Sequence, residues 1–274
     1  MRNYDVDYID LVNLVCAKGE RHVTRAGETM QLFGTQLVID CMRNGYFPIL
    51  TQRQIFYKGV LGELAAFLRG ATELKEFKEL GCNYWDMNAK AWPPNKDRKP
   101  DDMSVGVIYG TQWRNWEGKL DQIEVLIKGI KKDPGSRRHI LTTWNPSELW
   151  AMCLPPCHIL AQFNVTNTGK LDCCVTMRSV DLILGLPSDV VLYAGLLLLI
   201  CRETEYSPGT LIFQMGDTHI YADHVALWAK QRVQPILQLP TWSLAECDVD
   251  SFHPNDLDLY NYQHGDKIDY PFNV

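Results

Sequence analysis

The chain has 274 residues, of which 46% are hydrophobic and 22% are charged, which is enough for one large buried core. Its formal net charge of −6 argues against a protein that binds nucleic acid stably. Nine unevenly spaced cysteines without a CxxC pair are typical of a reduced, cytoplasmic protein rather than a disulfide framework or a zinc site. The acidic N-terminus has no signal-peptide pattern, and the longest apolar run, Val190 to Cys201, is too short to cross a membrane.

The first 70 residues predict a helix, a loop, a strand and a second helix. Apolar residues recur at helical spacing over residues 5–18, and alternation over Met30 to Cys41 indicates a strand or hairpin. Lys18 to Glu28 between them is predicted to be a charged, glycine-bearing loop. Gln54 to Gly70 predicts a helix with an apolar face that includes Glu63. A carboxylate there is either partly exposed and salt-bridged, or has a raised pKa suited to general acid-base catalysis.

The middle of the chain predicts a possible ligand wall and an anion site. Pro93 to Asp102 is rich in Pro, Lys and Asp and reads as a surface insertion or lid. Val107 to Trp116 is rich in Tyr, Trp and Arg, a composition shared by ligand-facing walls and aromatic core patches. After an amphipathic helix over Leu120 to Lys132, Arg137 and Arg138 lead into a strand. Paired guanidinium groups suit a phosphate, which they bind bidentately.

The stretch from Leu154 to Leu192 places polar groups inside an apolar segment. Two prolines hold Cys157 at the entrance of a strand. A second strand follows after a tight turn, so we expect Arg178 to lie across the hairpin, where its charge favours the nucleophilic thiolate. In a chain with nine cysteines, the alternative is that Cys157 is one more buried core residue.

The C-terminal part predicts a fully buried helix and a polar strand end. Val190 to Cys201 is almost entirely apolar, which is typical of a buried helix. In the strand Phe213 to His224, His219 and Tyr221 alternate and therefore point to the same side. No repeat or linker interrupts the sequence. We therefore expect one compact α+β domain over residues 1–274, in which helices flank a mixed sheet.

Taken together and in order, these motifs resemble those of the thymidylate synthase family over nearly the whole chain. The motifs are Arg25 in its loop, Glu63 in GELAAFLRG, Trp85–Asp86, Tyr109 in IYGTQWRNW, Ser136–Arg137–Arg138, Cys157 in PPCH, Arg178–Ser179–Val180–Asp181, Asp189 in GLPSD, and His219 and Tyr221 in GDTHIY. The fold that this resemblance implies is a large twisted mixed β-sheet flanked by helices. Its sheet packs against that of a second copy in a homodimer.

The resemblance also implies a role for each matching position. Cys157 would add to C6 of a pyrimidine nucleotide and so make C5 nucleophilic, while Glu63 and Tyr109 would manage protons through ordered water. The cosubstrate would be 5,10-methylenetetrahydrofolate, with no metal. The binding positions would be Arg25, Arg178 and Ser179 for the 5′-phosphate, Arg137 and Arg138 from the other subunit, His219 and Tyr221 for the sugar 3′-hydroxyl, and Trp85, Asp181 and Gly185 for the folate.

Asp189 departs from the family pattern. In thymidylate synthases an aromatic residue and an asparagine follow the GLP motif, whereas here Ser188 and Asp189 do. The asparagine amide accepts from N3–H and donates to O4 of uracil, but an ionised carboxylate donates nothing. With one shared proton, Asp189 pairs with N4 and N3 of cytosine and stabilises the intermediate formed by Cys157. The phage deoxycytidylate hydroxymethylases of this family carry an aspartate here, so we expect dCMP as the substrate.

Two departures on the folate side favour a hydroxymethyl product. The segment Trp85–Asp86–Met87–Asn88 lacks the second tryptophan that is common in the family, and Ser188 replaces an aromatic wall. A more polar face admits water, rather than hydride, to the transferred carbon. The apolar terminal Val274, which resembles the end of a synthase, points the other way. We therefore expect a dCMP hydroxymethylase of phage origin, located in the host cytoplasm. The alternatives are a dCMP 5-methyltransferase, a thymidylate synthase acting on dUMP, and a catalytically silent nucleotide-binding protein.

Overall fold

The computed structural model describes residues 3–93 and 103–273. Val274 and nearly all of the predicted insertion Pro93 to Asp102 lie outside the described residues. Within them, six strands form the main sheet and two more form a separate hairpin. The strands are β1 (Glu20–Thr24), β2 (Gly27–Ile39), β3 (Ile140–Thr142), β4 (His158–Val165), β5 (Lys170–Asp181), β6 (Ser207–Tyr221), and the hairpin strands β7 (Thr241–Leu244) and β8 (Leu257–Tyr260).

The helices surround one face and the ends of this sheet. The α-helices are α1 (Tyr4–Lys18), α2 (Tyr57–Leu68), α3 (Leu74–Glu79), α4 (Asp86–Ala91), α5 (Tyr109–Arg114), α6 (Gln122–Lys132), α7 (Gly185–Thr204) and α8 (Ala222–Gln231). Short 3-10 turns occupy Cys41–Asn44, Leu149–Ala151 and Pro254–Asp256.

The main sheet is mixed, as predicted. Its strand order is β1-β2-β6-β5-β4-β3, and every neighbouring pair is antiparallel except β5 and β6. The parallel pair requires a long crossover, which α7 supplies between the two strands. A mixed sheet flanked by helices confirms the predicted α+β fold class.

Helix α7 forms the centre of the core. It is apolar on all sides, and almost every residue from Leu186 to Cys201 is buried. The helix is longer than the predicted run, and with a mean hydropathy of 1.5 it is long and apolar enough to span a membrane. However, 78% of its apolar window is buried inside the fold, so α7 is a core helix. Helix α2 packs against it so closely that a Cβ on Gly195 would lie 3.0 Å from Cδ2 of Leu64.

One predicted loop is a β-hairpin. Lys18 to Glu28 was expected to be a loop, but β1 lies within it and pairs with β2 from Glu20–Gln31 to Thr24–Gly27. All five residues of β1 are exposed, so the strand lacks the alternation of apolar and polar residues that identifies a strand in a sequence. The hairpin turns at Arg25 and Ala26, and Gly27 directly after them has a φ of 127°, in a region that glycine adopts most readily. Arg25 sits at the tip of this hairpin.

Candidate active site

Cys157 and Arg178 meet at one end of β4 and β5. Cys157 immediately precedes β4, and its carbonyl accepts from the backbone N–H of Arg178 at 2.8 Å. The Arg178 guanidinium donates to the carbonyl oxygens of Pro155 and Pro156, and its Nη2 lies 3.9 Å from Sγ of Cys157. Burial raises the pKa of the thiol and the Arg178 charge lowers it, with a net upward shift. The hairpin therefore brings the predicted nucleophile and its cation together.

Tyr109 lies behind Cys157. Its hydroxyl accepts from the backbone N–H of Cys157 at 2.8 Å, and its ring stacks on those of Phe67 and His158. The stretch Val107 to Trp116 thus contains a helix, α5, with Tyr109 and Trp113 buried. Burial, the nearby Cys157 and the acidic Asp189 together raise the pKa of Tyr109 well above its ordinary value. The phenol therefore stays protonated and fixes the backbone that carries the thiol.

Glu63 is buried and held by two donors. Only 8% of the residue is exposed, on the face of α2 that turns toward the pocket. Trp85 Nε1 donates to Oε1 at 2.7 Å, and the Tyr84 hydroxyl donates to Oε2 at 2.9 Å. Burial raises the pKa of Glu63 to about 7, although both hydrogen bonds lower it. Of the two readings from sequence, the structure shows the carboxylate with a raised pKa and not the salt bridge.

Asp189 lies in the first turns of α7 and lines the same pocket. Its carboxylate oxygen Oδ1 is 3.9 Å from Nε2 of His158. Burial lowers the pKa of His158 to about 3, so the imidazole is neutral, and its Nδ1 bonds the hydroxyl of Tyr193 at 2.7 Å. Burial, together with the charges of Glu63 and Asp181, raises the pKa of Asp189 well above its ordinary value. Because the imidazole is neutral, the contact is not an ion pair, and burial favours the protonated form of Asp189.

The pocket is a cavity of about 570 Å³ that these groups share with the predicted phosphate and sugar positions. Its volume lies within the usual range for small-molecule sites. His219 Nδ1 bonds Asp217 at 2.9 Å, and the ring of Tyr221 packs against that of His219. The predicted residues that line the cavity are Arg25, Glu63, Cys157, Arg178, Ser179, Asp181, Gly185, Asp189, His219 and Tyr221.

Four predicted residues do not line this cavity, and one of them is Tyr109, which lies behind Cys157. Arg137 and Arg138 are exposed just before β3, at the edge of the sheet. Trp85 is 6% exposed and its indole N–H is bound to Glu63, so it lies beneath the pocket wall. Its neighbours Tyr84 and Asn88 line the cavity instead. Contacts of Trp85 with folate and of the two arginines with phosphate stay predictions.

Sequence reasoning missed several residues that the fold places at the site. Asp217 follows the same two-residue period as His219 and Tyr221, so the strand pattern was sufficient to find it. Tyr84 precedes the singled-out Trp85, but nothing in the sequence shows that its hydroxyl reaches Glu63. Phe272 and Asn273, near the C-terminus, also line the cavity.

Asp181 has a structural role as well as a place in the pocket. Its two carboxylate oxygens accept from the backbone N–H groups of Ile183 and Leu184, just before α7 begins.

The apolar part of the cavity lining comes from Leu154, Leu184 and Phe272, and such a surface suits the flat ring system of a folate. Among the described residues, no group of three or more His, Cys, Asp or Glu side chains is placed to hold a metal ion.

Comparison with known proteins gives one consistent result. A family model described as thymidylate synthase matches residues 6–274. Thymidylate synthase 1/2 of Encephalitozoon cuniculi (strain GB-M1) is 36% identical over 279 residues, which cover 95% of this chain and 94% of that protein. The bifunctional dihydrofolate reductase-thymidylate synthase of Zea mays is 36% identical over 290 residues, 98% of this chain and 54% of that protein. A bifunctional relative of Arabidopsis thaliana is 35% identical over 287 residues. The chain thus spans about half of the plant proteins.

Proposed function

The chain belongs to the thymidylate synthase family, and within that family we propose that it transfers a one-carbon unit to C5 of dCMP and releases 5-hydroxymethyl-dCMP. Family membership makes it a folate-dependent enzyme that acts at C5 of a pyrimidine nucleotide, with 5,10-methylenetetrahydrofolate as cosubstrate. The choice of base and of product rests on this chain's own residues.

The observation that carries the choice of base is the buried carboxyl of Asp189. When Cys157 adds to C6 of cytosine, an electron pair arrives at N3, and that nitrogen must be protonated for the adduct to form readily. A carboxyl whose protonated form is favoured by burial can supply that proton, while its other oxygen accepts from the N4 amino group. An amide at the same position donates a hydrogen bond but no proton. Asp189 therefore acts as both base reader and general acid.

The choice of product rests on the pocket wall near Glu63. Tyr84, Asn88 and Ser188 line the same cavity as Glu63, and each carries a polar group. A wall of this kind holds water close to a carboxylate that is partly ionised at neutral pH. Water then adds to the exocyclic carbon left on C5, and tetrahydrofolate leaves without oxidation. The balance is dCMP plus methylenetetrahydrofolate plus water, giving 5-hydroxymethyl-dCMP plus tetrahydrofolate.

The uncovered face of the sheet supports a homodimer. The register aligns Val38, Ile212 and Cys174 in one row across β2, β6 and β5, on the face away from α7. Val38 is 47% exposed there, and an apolar row of this kind suits a second copy of the sheet. Arg178 follows Cys174 by four residues on β5 and so has the same orientation. A partner on this face would bring its own Arg137 and Arg138 toward Arg178.

A second candidate is thymidylate synthase activity on dUMP. The relatives named above are thymidylate synthases, and they favour it. The structure adds a physical reason: a protonated Asp189 presents one O–H donor and one carbonyl acceptor, a pair that also fits O4 and N3–H of uracil. A dCMP 5-methyltransferase is the third candidate, and location in the cytoplasm stays a prediction.

Product analysis separates these candidates. The purified enzyme is incubated with methylenetetrahydrofolate and either dCMP or dUMP, and the products are measured by mass spectrometry. Hydroxymethylation gives a product that is heavier than dCMP by a CH₂O unit, and the reaction forms no dihydrofolate. Methylation of either base produces dihydrofolate, which is followed by its absorbance. Turnover of dUMP alone would overturn the proposal in favour of thymidylate synthase.

A further inference from the structure

Tyr84 lines the cavity together with Glu63, the carboxylate that it contacts. It belongs to the loop between α3 and α4, is 36% exposed, and lines the cavity. Its hydroxyl donates to Oε2 of Glu63 at 2.9 Å, while the adjacent Trp85 donates to Oε1 at 2.7 Å. Two consecutive residues therefore hold the two carboxylate oxygens, one donor on each. Hydrogen bonds of this kind favour the ionised form of a carboxylate.

The two donors have different surroundings. Trp85 is 6% exposed and packs against the rings of Phe67 and Phe77. Tyr84 instead has its ring on the cavity wall, in the same lining as Asn88. Tyr84 is thus the donor that both contacts the carboxylate and lines the cavity. Each carboxylate oxygen keeps further acceptor capacity, so Glu63 can still accept a proton from water.

The titratable groups that face Glu63 come from three separate elements. Cys82 and Tyr84 lie on the loop before α4, Tyr109 on α5 and Asp189 on α7. Burial raises the pKa values of all four groups and so favours their neutral forms. The hydrogen bonds from Tyr84 and Trp85 therefore oppose the burial that raises the pKa of Glu63 to about 7.

We propose that Tyr84 is a positioning residue that keeps Glu63 ionised and oriented so that it accepts a proton from the water that attacks the transferred carbon. The inference rests on the proposed hydroxymethylation and adds the group that directs its water. The water oxygen bonds to the exocyclic carbon on C5, and the water proton passes to Glu63. The electron pair of the exocyclic double bond moves into the ring and expels the Cys157 thiolate, which restores the C5–C6 double bond. The step needs neither oxidant nor reductant.

The test is the pH profile of hydroxymethyl-dCMP formation by the full-length Tyr84→Phe enzyme. The reaction requires ionised Glu63, so its rate falls as pH decreases through the pKa of that carboxyl. Loss of the Tyr84 donor favours the neutral carboxyl, and the midpoint of the acidic limb moves to higher pH by about one to two units, the equivalent of one hydrogen bond to a charged group. Placing 3,5-difluorotyrosine at position 84 strengthens the donor and moves the midpoint to lower pH, whether or not the phenylalanine variant folds well.

A matched control is Tyr260→Phe. The Tyr260 hydroxyl bonds Ser243 in the exposed β7–β8 hairpin, outside the cavity lining, so its removal is expected to leave the midpoint unchanged. Release of tritium from C5 of labelled dCMP by the wild-type enzyme tests the proposed substrate separately. If the wild type releases no tritium, the proposed function fails. If it does, and both changes at position 84 leave the midpoint unmoved, Tyr84 has no such role.

Discussion

Asp189→Asn replaces a group that can give up a proton with an amide of nearly the same shape that cannot. An ordinary aspartate is protonated in roughly one molecule in a thousand at pH 7. Burial beside Glu63 and Asp181 raises the pKa of Asp189 well above its ordinary value, which increases the fraction in the acid form. A positioned general acid typically contributes about 10²–10⁴ in rate. We therefore expect kcat/KM for dCMP to fall by about 10²–10⁴, or about 3–5 kcal/mol in barrier height.

The same substitution is expected to preserve or raise turnover of dUMP, because an amide can donate to O4 and accept from N3–H of uracil. The assay measures kcat/KM for both nucleotides with saturating methylenetetrahydrofolate. Asp217→Asn is the matched control: it changes a carboxylate to an amide beside His219, at the sugar end of the cavity. It is expected to weaken both nucleotides equally. A dCMP/dUMP preference that stays within threefold of the wild type in Asp189→Asn would refute the assignment of Asp189 as base reader and acid.

Four further outcomes are expected. Cys157→Ala abolishes turnover and tritium release but retains nucleotide binding by calorimetry; residual turnover would exclude the covalent route. Mixing inactive Cys157→Ala with inactive Arg138→Ala is expected to restore about a quarter of wild-type activity. About half of randomly mixed dimers contain one subunit of each variant, and each of these has one intact site of two. No recovery would place Arg138 outside the partner's site. The preference for dCMP over dUMP is expected to increase with pH. Uracil requires protonated Asp189, a form that is lost as pH rises through its raised pKa, whereas cytosine N3 helps to retain the shared proton. A preference that is independent of pH contradicts this. Gly62→Ala places a Cβ 2.2 Å from the Leu80 carbonyl oxygen and is expected to lower the free energy of unfolding by about 1–3 kcal/mol. In the control Gly135→Ala, the Cβ meets only Asp133 at 3.9 Å, so the Tm is expected to stay nearly unchanged.

Local patterns identified most of the elements and many of the site residues. The apolar run of α7 predicted a buried helix because no solvent-facing side was available to it. The tight turn between β4 and β5 predicted that Arg178 and Cys157 would be neighbours, since a short hairpin fixes its own register. By contrast, β1 was not predicted, because all its residues are exposed and the strand therefore lacks alternating inward-facing and outward-facing positions.

The sequence by itself determined which chemical groups are available: a thiol, a run of arginines, an embedded glutamate, and an aspartate after GLP. Only the tertiary structure decided how they act. Burial raises the pKa of both Glu63 and Asp189, and that burial arises from α2, α5 and α7 packing together across long sequence separations. The hydroxyl of Tyr84 reaches Glu63 for the same reason. A pKa depends on the solvent and charges around a group, and these are fixed only when distant segments meet.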